Sequence, residues 1–204
     1  MVTLVIPTDA AISVKGPPQG QWTYADWEML FDDGNRYEVI DGVLYMSTAP
    51  SYFHQWIIRR LDHYVGIPAE EQGLAFAATA PVGVLMPGCQ PVQPDFVVVL
   101  AARKAIIHDR RIRGVPDLIV EVLSPGNSDF DKEVKLAAYA SAGVPEYGII
   151  GPAEKTLSLY TLEQPGTYSE PRVFNAGDTV TFACLPTIPL EVGKLFADAP
   201  DTTL

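Results

Sequence analysis

Leu118-Ile119-Val120-Glu121-Val122-Leu123 decides the fold, because it is apolar at consecutive positions apart from one acid. A run of this kind is buried on both faces and reads as a central strand, spanning Asp117 to Leu123, with further layers packed above and below. A lone carboxylate in such a strand costs several kcal/mol unless it finds a partner. Glu121 therefore needs a metal ion, a basic side chain, or a pKa raised far enough to keep it neutral.

The other strongly apolar strand upstream is Phe96 to Leu100, opened by Pro94-Asp95. If the two strands pair antiparallel, the start of one lies beside the end of the other, and Asp95 and Glu121 meet at a sheet edge. Two carboxylates meeting there form an oxygen-rich site suited to Mg²⁺ or Mn²⁺. The spacing is equally compatible with Asp95 as a turn residue after Pro94 and Glu121 paired with an arginine. Downstream, Lys135 interrupts a segment, 134–142, that is otherwise largely apolar and small. It reads either as an i,i+4 partner of Asp131 on a solvated face, worth about 0.2–0.5 kcal/mol, or as a cation that orients a water and stabilises charge on a phosphate. Sequence alone favours the first.

Further out, residues 1–20 carry Pro7, Gly16, Pro17, Pro18 and Gly20 without periodicity and read as a flexible leader, so that residues 21–204 form a single domain. Thr23 caps a short helix ending around Phe31, and Arg36 to Ile40, Asp41-Gly42, Val43 to Ser47 is a hairpin with a two-residue turn. Ser51 opens a helix carrying Phe53, Ile57, Leu61, Tyr64 and Val65 on one face, expected to end before Gly66 and Pro68. Strands are expected at Leu74 to Thr79 and Val82 to Met86. After Ser124-Pro125-Gly126-Asn127, Asp129 or Asp131 caps a helix running to Ala142, with Gly143 beyond it. Strands return at Glu146 to Ile150, Thr156 to Leu162, Tyr168 to Phe174 and Thr179 to Phe182. The fold class is α+β or mixed α/β, a central mixed β-sheet flanked by helices, with an N-terminal hairpin and C-terminal strands.

The 204 residues are 48% hydrophobic, enough for one sizeable core, and their 25 acidic against 14 basic side chains leave a net charge of −11. Such a surface repels polyanions at long range, so a nucleic-acid site would need locally clustered arginines. The candidates are Arg59-Arg60 and, better placed, the stretch holding Arg103, Lys104, Arg110, Arg111 and Arg113. Cys89 and Cys184 have no metal-ligand spacing. The N-terminus has no charged leader, and the longest apolar stretch, Leu74 to Met86, is broken by Pro81 and falls short of a membrane span. A cytoplasmic protein without a membrane anchor is expected. No Walker loop, dinucleotide loop, zinc signature or Ser-His-Asp arrangement supports another enzyme class.

Five segments carry a family resemblance: Arg36 to Leu44 around Glu38, Ala49 to Gln55 around His54, Gln93 to Val99 around Asp95, Val115 to Pro125 around Glu121, and Asp131 to Tyr147 around Lys135. In this order, over roughly residues 22 to 196, the chain resembles the Uma-two family of restriction endonuclease-like proteins, within the PD-(D/E)xK nuclease superfamily. The resemblance implies that Asp95 and Glu121 hold Mg²⁺ or Mn²⁺, with Glu38 as a further acidic member, and that Lys135 assists the attacking water. The usual E-x-K lysine would fall at Leu123, and the family supplies it from the following helix. His54, Gln55 and Arg113 are the expected substrate contacts, although His54 could equally make an ordinary hydrogen bond and Glu38 an ion pair with Arg36. Where relatives commonly carry a Trp and an Asp, this chain has Gly148 and Gly151.

The implied activity is metal-dependent endonucleolytic hydrolysis of DNA, with a homodimer as the assembly suited to cutting two strands. The alternative is a catalytically silent nuclease-fold protein that binds nucleic acid or a protein partner, which the acidic surface and the altered Gly148 and Gly151 favour. Likeness of fold also leaves open another phosphate ester or a small nucleotide as substrate.

Overall fold

The computed structural model describes residues 4–5, 14–47, 50–124 and 130–200. After a two-residue strand β1 (Leu4–Val5), helix α1 (Tyr24–Glu28) begins at a reciprocal cap: the Thr23 hydroxyl accepts the Asp26 N–H and the Asp26 carboxylate accepts the Thr23 N–H. β2 (Arg36–Ile40) and β3 (Val43–Ser47) form the expected hairpin. Asp41 and Gly42 take φ of 48° and 74°, the positive values that a two-residue type I′ turn demands. The end of the leader docks on this hairpin, since the N–H groups of Gly20 and Trp22 both donate to the Gly42 carbonyl.

Helix α2 (Tyr52–Leu61) starts at Ser51, whose hydroxyl accepts the His54 N–H. The stop expected at Gly66 and Pro68 does not occur. A π-helical turn at Asp62–Gly66 carries the helix into α3 (Ile67–Glu71). Pro68 sits in the first turn of α3, where a missing N–H is tolerated. Gly66 is a packing glycine rather than a stop, because a side chain there would meet the Asp62 carboxylate and Ala77.

The strands β4 (Ala75–Thr79), β5 (Gly83–Met86), β6 (Cys89–Val92), β7 (Phe96–Leu100), β8 (Ile107–His108), β9 (Arg111–Arg113) and β10 (Leu118–Val122) follow. Next, a π-helical turn at Phe130–Lys135 leads into α4 (Leu136–Ala142), which ends at Gly143 with φ 90°. Asp131 thus lies inside the helical segment rather than capping it, and Asp129 lies outside the described residues. The chain closes with β11 (Glu146–Gly151), β12 (Thr156–Gln164), β13 (Thr167–Tyr168), β14 (Arg172–Asn175), β15 (Thr179–Val180) and β16 (Leu190–Glu191). The expected strand from Tyr168 to Phe174 is split between β13 and β14 around Pro171, which has no N–H for a ladder.

The central sheet has the order β13-β12-β11-β10-β7-β4, with β14 also paired to β12. It is mixed, because β10 runs antiparallel to β7 and parallel to β11. Parity along β7 and β10 divides the core. Phe96, Val98, Leu118 and Val120 face α2 and the C-terminal segment around Phe182 and Leu195. Val97, Val99 and Ile119 face α4 and the second sheet, β1-β3-β2-β6-β5-β9-β8. The same parity puts Glu121, two residues after Ile119, on the α4 side.

Candidate active site

Register brings the two predicted carboxylates together. Val120 opposes Phe96 across the β10–β7 ladder, so Asp95 and Glu121 are the next residues out at the same edge. Their groups interlock: the Asp95 N–H donates to Glu121 Oε2 at 3.3 Å, and the Val122 N–H donates to Asp95 Oδ2 at 2.9 Å. Asp95 is 4% exposed and Glu121 1%.

Lys135 reaches the same place from the turn before α4. Its Nζ lies 2.9 Å from Glu121 Oε1, 3.4 Å from Asp131 Oδ1 and 3.5 Å from Glu38 Oε2. The i,i+4 pair with Asp131 therefore exists, but not on a solvated face, since Lys135 is only 3% exposed. Tyr139, one turn further along, donates its hydroxyl to Glu121 Oε1 at 2.9 Å. From the hairpin, Arg36 Nη1 donates to Asp95 Oδ1 at 3.1 Å, and Glu38 Oε1 accepts the Gln93 N–H at 2.6 Å. His54, in the first turn of α2, places Nε2 3.1 Å from Asp95 Oδ2. A cavity of about 20 Å³ remains among these groups, room for one water-sized occupant.

Charge in this cluster is unbalanced. Glu38, Asp95, Glu121 and Asp131 supply four carboxyl groups, against the two cations of Arg36 and Lys135. Burial lifts Glu121 to about 8, opposed by Lys135 and reinforced by Asp95 and Asp131. Burial likewise lifts Asp131 to about 6 against the pull of Lys135. Asp95 goes the other way: burial alone would raise it, but the His54 hydrogen bond and the Arg36 charge hold it well below the ordinary carboxylate range. Lys135 stays charged, because Glu121, Glu38 and Asp131 outweigh the burial that disfavours its ammonium.

Among the described residues, no three His, Cys, Asp or Glu side chains converge as an ion-binding set. The donor chemistry nevertheless fits a divalent cation. An excess of two formal negative charges matches one dication, and Mg²⁺ commonly takes one or two protein carboxylates and keeps several waters. Asp95 and Glu121 are the pair placed to supply them.

The structure does not bring every expected contact to the cluster. Gln55 is exposed beside it, lining a groove with Arg36, Pro50 and Gln93. Arg113 is exposed on β9 in the second sheet, its guanidinium 5.8 Å from the Tyr24 ring centre, and it does not line the cluster. Nor do the arginines from 103 to 113 form one groove. Arg103 is bound to Asp117 at 2.6 Å, at the opposite end of β7 from Asp95, while Arg111 turns to Glu28 and Tyr24. Three cluster residues were not singled out as site residues. Arg36 shares its strand face with Glu38, and Asp131, Lys135 and Tyr139 recur every four residues, so alternation in one case and helical spacing in the other carried the signal.

A mixed sheet with an Asp and a Glu at one shared edge, and a lysine delivered to them by the following helix, defines a restriction endonuclease-like fold. The chain belongs to the Uma2 family, described as "Putative restriction endonuclease", which it matches over residues 23–193. It is also similar to a crystal structure from Anabaena variabilis ATCC 29413, described as a "putative nuclease belonging to DUF820". The TM-score is 0.72 at 20% identity, covering 85% of this chain and 97% of that one. A search of curated proteins finds no match. No described helix is long and apolar enough to cross a membrane.

Proposed function

We propose that this chain is a metal-dependent endonuclease that hydrolyses DNA phosphodiester bonds at the Asp95–Glu121–Lys135 cluster, in the manner of PD-(D/E)xK enzymes. The observation that carries the reading is the position of Lys135. Residue 123 is Leu, yet an ammonium from the next helix lies 2.9 Å from Glu121, on the α4 face of β10.

In this reading Asp95 and Glu121 hold Mg²⁺ or Mn²⁺, and Glu38 adds negative charge beside them. The bound ion would lower the pKa of a water and offset charge building on the phosphate. Lys135, kept protonated by its carboxylates, orients the attacking water and faces the developing oxyanion. Arg36 and the Val122 N–H fix the Asp95 carboxylate, and His54 braces it from α2. Gln55, at the exposed rim next to Arg36, is placed to touch substrate. A cytoplasmic homodimer acting on duplex DNA completes the proposal.

One observation favours the alternative of a catalytically silent binding protein: Arg36 and Lys135 already neutralise two of the four carboxyl groups without any ion. A cleavage assay separates the two. Wild type, Asp95→Ala and Lys135→Ala are incubated with supercoiled, linear and single-stranded DNA in Mg²⁺, Mn²⁺ or EDTA. Cleavage that needs metal and is lost in both variants supports the nuclease reading. A folded wild type that cuts nothing supports the silent one, and cleavage retained by the variants removes the roles assigned here.

A further inference from the structure

The outer face of α2 and its π-helical extension is a stretch beside the cluster where the acidic character of the chain is inverted. From Ser51 to Ala69 the sequence holds two arginines and two histidines and a single acid, Asp62. Asp62 is partly buried, its carboxyl raised by burial and then by Glu70. The apolar residues Ile57, Ile58, Leu61 and Val65 point inward, leaving two stripes outside. Tyr52, Gln55, Arg59 and His63 form the exposed stripe, and Trp56, Arg60 and Tyr64 run beside it at four-residue spacing.

These side chains are organised as cations over rings. The Arg59 guanidinium lies 4.7 Å from the Trp56 ring centre, and that of Arg60 lies 4.9 Å from Tyr64. Lys194, from the C-terminal segment, places Nζ 5.4 Å from the same tyrosine and 2.8 Å from Glu191 Oε1, and its carbonyl is held by Arg60 Nε at 2.9 Å. Stacking on an aromatic face fixes a guanidinium without using its outward donors. Arg59 thus stays exposed with no carboxylate partner among the described residues.

The face is continuous with the cluster. Gln55, at the start of the exposed stripe, lines a groove with Arg36, which donates to Asp95, and at 1.5 Å of rise per residue Arg59 and His63 lie about 6 and 12 Å further along the helix axis. Successive phosphates on one strand of a duplex advance by about 3.4 Å, so the stripe spans roughly four of them.

We infer that this face of α2 is the track for the DNA phosphate backbone, with Arg59 as its unpaired cation and Lys194, which Glu191 holds, beside it, leading a strand to the catalytic cluster. The inference rests on the nuclease reading and adds where its substrate lies. It reverses the preference for the arginines between 103 and 113, which the fold scatters.

The test is fluorescence anisotropy of a labelled duplex in EDTA at about 50 to 200 mM salt, where phosphate contacts set the slope of log K against log salt at about −0.9 per contact. Arg59→Ala, an exposed helix position, should reduce the slope by about one, and Arg59→Ala/Lys194→Ala should reduce it further, with affinity falling at least tenfold in the double variant. Arg113→Ala, an exposed position on β9 of the second sheet, should change neither. Wild-type and variant slopes that coincide would overturn the inference, as would failure of wild type to bind the duplex in EDTA. Cleavage of the same DNA in Mg²⁺ or Mn²⁺ then tells which claim has failed: if wild type cuts, only the track is lost, and if it neither binds nor cuts, the nuclease reading falls with it.

Discussion

Replacing Lys135 with Met keeps the stem and removes the charge. The ammonium has carboxylate oxygens at 2.9, 3.4 and 3.5 Å. At an effective dielectric of about 20, each such pair is worth about 5 kcal/mol, and three would sum to about 15 kcal/mol. That figure is several times the about 3–5 kcal/mol typical of a buried pair losing one member. The difference is proton uptake, because carboxyl groups deprived of their cation become neutral rather than remain as buried anions. The penalty must then depend on pH. Glu121, lifted to about 8 in the folded chain against 4.5 ordinarily, keeps a proton that the unfolded chain releases, so its contribution to stability falls as pH rises through that window. Asp131 acts the same way between 3.8 and about 6. Losing Lys135 pushes both windows upward. Lys135→Met should therefore cost about 3–5 kcal/mol near pH 8, a fall in Tm of about 6–20 °C for a chain of this size. Near pH 5, where the carboxyl groups are already protonated or readily become so, the loss should shrink to about 1 kcal/mol. Thermal melts followed by circular dichroism across this range provide the measurement. A penalty independent of pH, or one that grows toward acid, would refute the ionised cluster on which the argument stands.

Three further outcomes are expected. Binding of Mg²⁺ should release protons between about pH 5 and 8, as the dication replaces those held by Glu121 and Asp131; isothermal titration in buffers of different ionisation enthalpy detects this, and no release would count against metal binding at these carboxyls. Gly148→Trp should destabilise by at least about 1–3 kcal/mol of overpacking, since even a Cβ at Gly148 would lie 3.2 Å from Val120, and Val120→Ala should recover part of it in denaturant melts. Gly143→Ala should cost about 1 kcal/mol, because φ of 90° is available to glycine alone without strain, while the cavity at the cluster and the metal affinity stay the same.

Local chemistry was the part of the fold most open to reading. The Asp41-Gly42 turn, the Thr23 and Ser51 caps and Gly143 each answer to a rule that acts within a few residues. The meeting of Asp95 and Glu121 was also legible, because an antiparallel pairing of the two most apolar strands has one geometric consequence. What escaped depends on distant packing. Gly66 and Pro68 read as a stop, yet a π-helical turn and the closeness of Ala77 let the helix continue. β6 and β9 are too short and too interrupted by Pro91 and arginines to register alone, and they exist because β5 lies between them. The basic residues misled for the same reason: adjacency in sequence groups 103 to 113, whereas β8, β9 and the 3₁₀ turn at Ala101–Ile106 send them in different directions.

Carrying the lysine on the helix rather than on β10 has a physical consequence for the whole core. With Leu at 123, β10 stays apolar to its end, and the only charge it carries is the one that Lys135 answers. The lysine stem can be buried because its helix supplies a lining for it: Phe130 lies 5.3 Å from the ammonium, and Tyr139 shares the Glu121 oxygen. The position of the ammonium is then set by how α4 docks, through Ala138, Tyr139 and Ala142 against the face of β10 and β11 and the edge-on contact of Tyr139 with Tyr147. A strand-borne lysine would be fixed by the ladder itself. Here the alignment of amine and carboxylates is a property of tertiary packing, and on the nuclease reading proposed above a displacement of about 1 Å in the helix would weaken cleavage about a hundredfold without altering any residue of the cluster.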